Sequence, residues 1–208
     1  MTVVLHDYWQ SSASYRVRIA LNLKGIAFEV RSIDLVKGKQ RDPAHLRLNP
    51  QGLVPALKID GLMLKQSLGI IEYLDETRSG PRLLPQDPAT RAHVRALSLA
   101  IACEIHPISN LRTLNRVEAM AGKEARRAWN CDTVRAGLEA FEQMLDQPSF
   151  AGAFCVGNAA SMADCVLIPQ LYNANRWQIE MGDLTRITAV AARCKDEPAF
   201  VAAAPQPP

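Results

Sequence analysis

The chain has 208 residues, 48% of them apolar, and its 24 basic and 21 acidic residues give a formal charge of +3. That length accommodates one large or two modest domains with a packed core. The charges are mixed along the sequence, which excludes a nucleic-acid arm built from one block of like charge. MTVVLHDYWQ lacks the basic start and long apolar core of a signal peptide, and no apolar run is long enough to span a bilayer, so a cytosolic protein with no membrane partner is expected. The five cysteines, at 103, 131, 155, 165 and 194, form an odd set without a C-x-x-C pair. Free thiols in a reducing compartment are expected, with neither a disulfide nor a cysteine metal site. No set of His, Asp and Glu has metal-ligand spacing either, so no metal is proposed.

In chain order, TVVLHDY is a short β-rich run, and SASYRVRIALNLK reads as a helix with Val17, Ala20, Leu21 and Lys24 on one side and Ile19 and Leu23 on another. Gly25 stands where a left-handed C-terminal residue is wanted. IAFEVRSIDL follows as a strand and completes a βαβ unit. A polar loop, VKGKQRDP, and a short helical stretch lead to NPQGLVPALKIDGLMLKQ, where two strand-like pieces meet at Asp60-Gly61, a strong hairpin signal. A helix, SLGIIEYLDETR, begins at Ser67. The order βαβ, helix, ββ, helix is that of the thioredoxin-like fold.

SGPRLLPQDP, residues 79 to 88, breaks the periodicity with three prolines and a glycine. Beyond it the pattern is helical. Asp87-Pro88 is a cap followed by a favoured first-turn proline, and the helix it opens should end or kink at Pro107. Val134, Leu138, Phe141 and Leu145 stripe another helix, and Ser161-x-x-Asp164 opens a further one as a capping box. The tail AAAPQPP reads as frayed. A first domain over residues 1–80, a linker over 81–88 and an all-helical domain over 89–208 are expected.

The stretch SSASYRVR, residues 11 to 18, crowds serines at the start of the first helix. Serine suits that place because its oxygen accepts from an otherwise unpaired backbone N–H. One serine suffices for the cap, which leaves a hydroxyl beside the positive end of a helix, where an anion is favoured. On the residues alone both uses stay open.

A thioredoxin-like half joined to a helical half is the architecture of soluble glutathione transferases. At SSASYRVRIAL, NPQGLVPALKIDG, QSLGIIEYL, PRLLPQDP and SMADCVLIPQ the chain resembles the zeta class of that superfamily, the maleylacetoacetate isomerases, and the related bacterial maleylpyruvate isomerases. The resemblance runs over nearly the whole chain. It implies an α/β thioredoxin-like N-terminal domain with an all-α C-terminal domain, glutathione as cofactor, a small dicarboxylate or electrophile as substrate, a two-fold homodimer, and a place in aromatic amino acid catabolism. The implied reaction is cis–trans isomerisation of a maleyl-type enedioate, maleylacetoacetate to fumarylacetoacetate, by thiolate addition, bond rotation and elimination. The alternatives are maleylpyruvate as substrate, conjugation of glutathione to small electrophiles, and a glutathione-binding module without turnover.

Glutathione carries a thiol, two carboxylates and an ammonium, and the resemblance assigns partners to each part. It makes Val54-Pro55 a cis peptide with the Val54 N–H and C=O left to pair with the cysteinyl backbone; an ordinary trans proline at a strand start is the alternative. Gln66 and Ser67 receive the γ-glutamyl carboxylate at a helix start, where Ser67 can equally be a plain cap. Gln40 matches a glutamine that contacts the glycine end, although alone it reads as a solvated loop residue. The serine that assists the thiolate falls on Ser11, with Ser12 beside it, because a hydroxyl donor at a helix start lowers the thiol pKa.

This chain departs from the family pattern in two places. Ala13 stands where many zeta members have cysteine, which excludes any mechanism that needs that thiol. Gln10 stands where an arginine often meets a substrate carboxylate, and glutamine supplies hydrogen bonds without charge. Arg176, in NANRWQIE, matches a substrate-binding arginine and is the candidate to compensate; a lone helix arginine is otherwise a solvated or ion-paired residue. In CEIHPISNLRTL, His106, Asn110 and Arg112 resemble the glutathione-facing residues of the maleylpyruvate branch, where most maleylacetoacetate isomerases have glutamine in place of the histidine.

Overall fold

The structure, a computed structural model, describes residues 2–207. They form two compact units, one drawn from residues up to Leu83 together with those from Glu197 onward, the other Leu84–Asp196. In the first unit, β1 (Val4–Asp7), α1 (Ser12–Leu23) and β2 (Glu29–Ser32) make the βαβ element. α2 (Pro43–Leu48), β3 (Ala56–Ile59), β4 (Leu62–Lys65) and α3 (Ser67–Thr77) follow. The sheet order is β2-β1-β3-β4, with β1 parallel to β2 and antiparallel to β3, and β3 antiparallel to β4. The register aligns Val30, Leu5, Leu57 and Leu64 across one face. Asp60 (φ 53°) and Gly61 (φ 80°) both take the left-handed conformation at the hairpin, as the Asp-Gly pair demands.

α1 packs against both α3 and α8 (Pro198–Ala203). That second partner explains why α1 is buried all round: Val17, Ile19, Ala20 and Leu21 are fully enclosed, and Arg16 and Arg18 are buried with them. The sequence assigned the whole C-terminal stretch to the helical domain. Instead, Phe200 and Ala203, one turn apart, bury against the first unit, so the second unit stops at Asp196. Within the stretch read as frayed, Ala202 and Ala203 are helical, while Pro208 lies outside the described residues.

The second unit holds α4 (Pro88–Leu99), α5 (Leu111–Met144), α6 (Met162–Arg176) and α7 (Thr185–Lys195). α4 runs on into a wider π-helical turn, Ala100–Ile105, and is finished by Pro107. Gly122 (φ 88°, ψ 176°) breaks α5 into two helical pieces. α6 is the central helix, in contact with α4, α5 and α7, and it buries Ala163, Val166 and Leu167 completely. Its start depends on Asp164, whose Oδ2 accepts from the Ser161 N–H and Oγ at 2.8 Å each and whose Oδ1 accepts from the Cys155 N–H at 2.8 Å. Burial pushes that carboxyl above the usual range, against hydrogen bonds that favour its charged form. The five cysteines are free thiols. Among the described residues no helix is long and apolar enough to cross a membrane, and no group of His, Cys, Asp and Glu could hold a metal ion.

Candidate active site

Between β1 and α1 the chain makes a tight turn in which the Ser11 N–H donates to the Tyr8 carbonyl at 2.8 Å, with Trp9 and Gln10 at its centre. Ser11 is the cap of α1: its Oγ accepts from the Ser14 N–H at 3.2 Å. The cap uses the oxygen only as an acceptor, so the Ser11 hydroxyl proton remains available to a ligand beside the positive helix end. Capping and anion binding are therefore compatible in one residue. Ser12, the first residue of α1, is buried, and Gln10 is half-buried.

The Val54–Pro55 peptide is cis, and both residues are buried. The segment before it is fixed from one side, because the Leu53 carbonyl accepts from His45 Nε2 and from Asn49 Nδ2, each at 2.9 Å. The Val54 amide enters neither the sheet ladder, which begins at Ala56, nor a backbone turn among the described residues. Gln66 precedes α3 with φ 66° and ψ 116°, a conformation that L side chains rarely adopt, and its Nε2 donates to Gln51 Oε1 at 2.8 Å. Turned this way, Gln66 does not cap α3. Ser67 is buried and accepts at its Oγ from Arg16 Nη1 at 3.2 Å, which sets a buried guanidinium under the open helix start. Gln40, in the turn Lys39–Arg41, has a buried Oε1 without a protein partner.

In the second unit, His106 follows the π-helical turn, and its N–H donates to the Ile101 carbonyl at 2.9 Å. Asn110 caps α5: its Oδ1 accepts from the Thr113 N–H at 3.0 Å and its Nδ2 donates to the Pro107 carbonyl at 2.8 Å. Its amide is thus used locally at both ends. Arg112 in the first turn of α5 and Arg176 at the end of α6 are exposed and lie on different helices.

Two of the first-unit residues therefore make direct contacts, Ser67 with α1 through Arg16 and Gln66 with the loop before the cis proline through Gln51, and the Gln40 backbone runs close to that same loop, with its carbonyl oxygen 3.3 Å from where a Cβ on Gly52 would stand. The sequence reading missed Arg16, Gln51 and Asn49. The signal for Arg16 was present, since YRVRIAL sets two arginines among apolar residues on every side of a helix, where a solvated face offers no room for them.

A family model for the N-terminal domain of glutathione S-transferase matches residues 10–77. A maleylacetoacetate isomerase of Rhizobium meliloti (strain 1021) is 53% identical over 204 residues, 97% of this chain and 95% of its own. This chain belongs to the zeta-class glutathione transferases, the family of the maleylacetoacetate isomerases. Two solved structures superpose with TM-scores of 0.94 over 98% of both chains. One is the holo structure of a maleylpyruvate isomerase, a bacterial glutathione transferase of the zeta class, at 40% identity. The other is the maleylacetoacetate isomerase of Methylobacterium extorquens AM1 with bound malonate and glutathione, at 37%.

The zeta-class site in this chain fits glutathione on its own geometry. An uncapped helix start backed by a buried arginine suits a carboxylate. The Val54 amide beside the cis proline, outside the sheet ladder, suits a peptide backbone, and the partnerless Gln40 Oε1 suits a donor.

Proposed function

We propose that this protein is a glutathione-dependent cis–trans isomerase of a maleyl-type enedioate, with maleylacetoacetate as substrate and fumarylacetoacetate as product. The observation that carries it is the start of α3, where Ser67 rests on the buried Arg16 and the cap residue Gln66 turns its side chain away. Support for isomerisation over other glutathione chemistry comes from the 53% identity to a maleylacetoacetate isomerase across nearly the full length.

When bound, glutathione supplies a thiolate that adds to the electron-poor double bond and later leaves, with rotation about the single bond between. The chain's own residues bind, orient and hold charge. Ser67, Gln66 and the first N–H groups of α3 take the γ-glutamyl carboxylate, and the Val54 N–H and C=O, next to Pro55, pair with the cysteinyl backbone. Gln40 addresses the glycine end, and His106, Asn110 and Arg112 match residues that address glutathione in the maleylpyruvate branch. The Ser11 hydroxyl, with Ser12 beside it, donates to the sulfur and favours thiolate at neutral pH. Gln10 and Arg176 hold the substrate carboxylates and the enolate charge that develops during addition. The proposal extends to a cytoplasmic homodimer; sedimentation giving only a monomer at micromolar concentration overturns that part.

His106 favours a second substrate, maleylpyruvate, because the maleylacetoacetate branch more often has glutamine there. One assay separates the readings: maleylacetoacetate, maleylpyruvate and a halogenated acid are each offered with and without glutathione, and total glutathione is measured before and after. Isomerisation that requires glutathione and leaves its total unchanged is expected. Stoichiometric loss of glutathione would indicate conjugation, and binding without turnover a non-catalytic module.

A further inference from the structure

Arg18 ties together three separated stretches of the first unit, and none of its contacts is to a side chain assigned to the ligand above. It lies on α1, almost two turns beyond Ser11, and is 8% exposed. Its Nη1 donates to both carboxylate oxygens of Asp7, at 2.9 and 2.7 Å. Its Nη2 donates to the Trp9 carbonyl at 3.1 Å, and its Nε to the Ala203 carbonyl at 2.9 Å. The guanidinium also lies 5.2 Å from the centre of the Tyr15 ring. One planar group thus joins the end of β1, the middle of the 8–11 turn and the last residue of α8.

The Trp9 carbonyl belongs to the central peptide of that turn, the peptide that links Trp9 to Gln10. Fixing its plane sets the direction in which Gln10 leaves the backbone and the position from which Ser11 starts α1. The turn's own hydrogen bond, Ser11 N–H to Tyr8 carbonyl, closes its ends but leaves that middle peptide free to rotate. α8 in turn holds the guanidinium from the far side, and α8 is itself tied to α1 by Asn22 Nδ2 donating to the Ala199 carbonyl at 3.1 Å and by the buried Phe200.

We propose that Arg18 is a positioning residue for the thiolate site, and that the C-terminal helix, through Arg18, fixes the turn that presents Gln10 and Ser11. The proposal rests on the isomerase reading, in which Ser11 donates to the glutathione sulfur. A donor displaced from its place stabilises thiolate less, even though glutathione is still gripped at α3. Lysine at position 18 keeps a charge for Asp7 but cannot reach Asp7, Trp9 and Ala203 together, because it offers a single point of charge where arginine offers a fork.

The test is the thiol pKa of glutathione bound to the protein, followed by thiolate ultraviolet absorbance across pH without substrate, beside the pH–rate profile. In R18K the bound thiol should titrate at higher pH, with nearly unchanged glutathione affinity. Turnover at neutral pH should fall roughly tenfold, part of the ~10²-fold that loss of a donor costs, and recover as pH rises. F200A, which loosens α8 without touching the turn, should move the thiol pKa in the same direction by less, and it decides the matter if R18K fails to fold. K24M breaks a comparable buried ion pair, Lys24–Asp75, that has no contact with the turn, and should keep the wild-type titration. A wild-type titration in both R18K and F200A overturns the proposal, as does a K24M shift as large as that of R18K, which would reduce the effect to general loosening. Wild-type protein that binds glutathione without lowering its thiol pKa overturns the isomerase reading and this proposal with it.

Discussion

The starts of α1 and α3 face the same problem and solve it in opposite ways. Each helix leaves its first backbone N–H groups without an intrahelical acceptor. α1 satisfies one of them with its own Ser11, as α4 does with Asp87 and α5 with Asn110, while α7 borrows both oxygens of Glu142, at 2.8 and 2.9 Å. α3 gets no such bond from its own cap residue. The reason lies in Gln66: a cap residue needs an extended backbone, and Gln66 sits at φ 66°, ψ 116° with its side chain drawn away to Gln51. Such a backbone costs on the order of 1–3 kcal/mol and persists only where its surroundings hold it. Capped starts serve the fold, and the start that its own cap residue leaves bare is the one proposed above for the glutathione carboxylate.

The heaviest loss of activity should follow from removing the cap of α1. If Ser11 is both cap and sulfur donor, Ser11→Ala should cost about 1 kcal/mol of stability. It should also cut turnover at neutral pH by about 10²-fold while glutathione still binds. Raising the pH should restore part of the rate, since more thiolate forms unaided. Ser12→Ala is the control, and an unchanged pH–rate profile in Ser11→Ala would return Ser11 to the same purely structural rank as Asp87.

At α3 the corresponding change should act on binding instead. Ser67→Ala removes the hydroxyl held by Arg16 and should weaken glutathione binding by about tenfold or more, the worth of one hydrogen bond to a charged group. Hydrogen exchange offers a second measure. Adding glutathione should protect the amides of the first turn of α3 more than those of α4, whose start is already capped. Equal protection at both helices would mean that the open start of α3 is not where the carboxylate binds.

Much of this arrangement was legible in the sequence because it rests on local chemistry. The Asp60-Gly61 hairpin, the Asp87-Pro88 start and the stripe of Val134, Leu138 and Phe141 each follow from a few adjacent or periodic residues, while Leu145, expected to extend that stripe, is the half-buried residue that ends α5. What escaped depends on residues far apart in the chain. α8 could not be assigned to the first unit, because six residues of apolar helix fit any groove and only the second apolar side of α1 decides which. Arg16 and Arg18 could be seen to need burial but not given partners, since those at Ser67 and Ala203 lie 51 and 185 positions away. Asn110 shows the opposite limit: the family motif named it as a ligand, while its amide also serves as an ordinary cap.

A smaller effect concerns the loop that carries Gln40. Gly52 has φ +63°, and a Cβ added there would stand 3.3 Å from the Gln40 carbonyl oxygen and 3.4 Å from a Leu46 methyl. Gly52→Ala should therefore lower stability by about 1–2 kcal/mol, from the left-handed backbone alone. The Gln40 loop should be pushed outward at the same time. A chemical-denaturation midpoint checks the first part. Glutathione affinity checks the second, because a loop that matters only for folding would leave binding intact once the protein is folded.

The mildest change tests whether the capped starts work through charge or through geometry. The Asp87 carboxyl is held below its ordinary value of 3.8, first by the Thr90 N–H and then by the Thr90 hydroxyl. A carboxyl whose pKa is depressed by folding contributes stability above its unfolded value and loses it as pH falls through the lower folded one, because the unfolded chain binds the proton first. An asparagine in its place would keep an acceptor for the Thr90 N–H but carry neither a charge nor a titration. Denaturant midpoints of the wild type and D87N, followed from about pH 5 to about pH 3, should therefore start apart in favour of aspartate and converge as the carboxylate is neutralised. Convergence would make the start of α4 an electrostatic site filled by the chain's own carboxylate, the counterpart of the α3 start proposed to take one from glutathione. A constant gap across that range would make the Asp87 cap a matter of hydrogen-bond geometry, and the case for α3 would then rest on Arg16 and Ser67 rather than on the helix end.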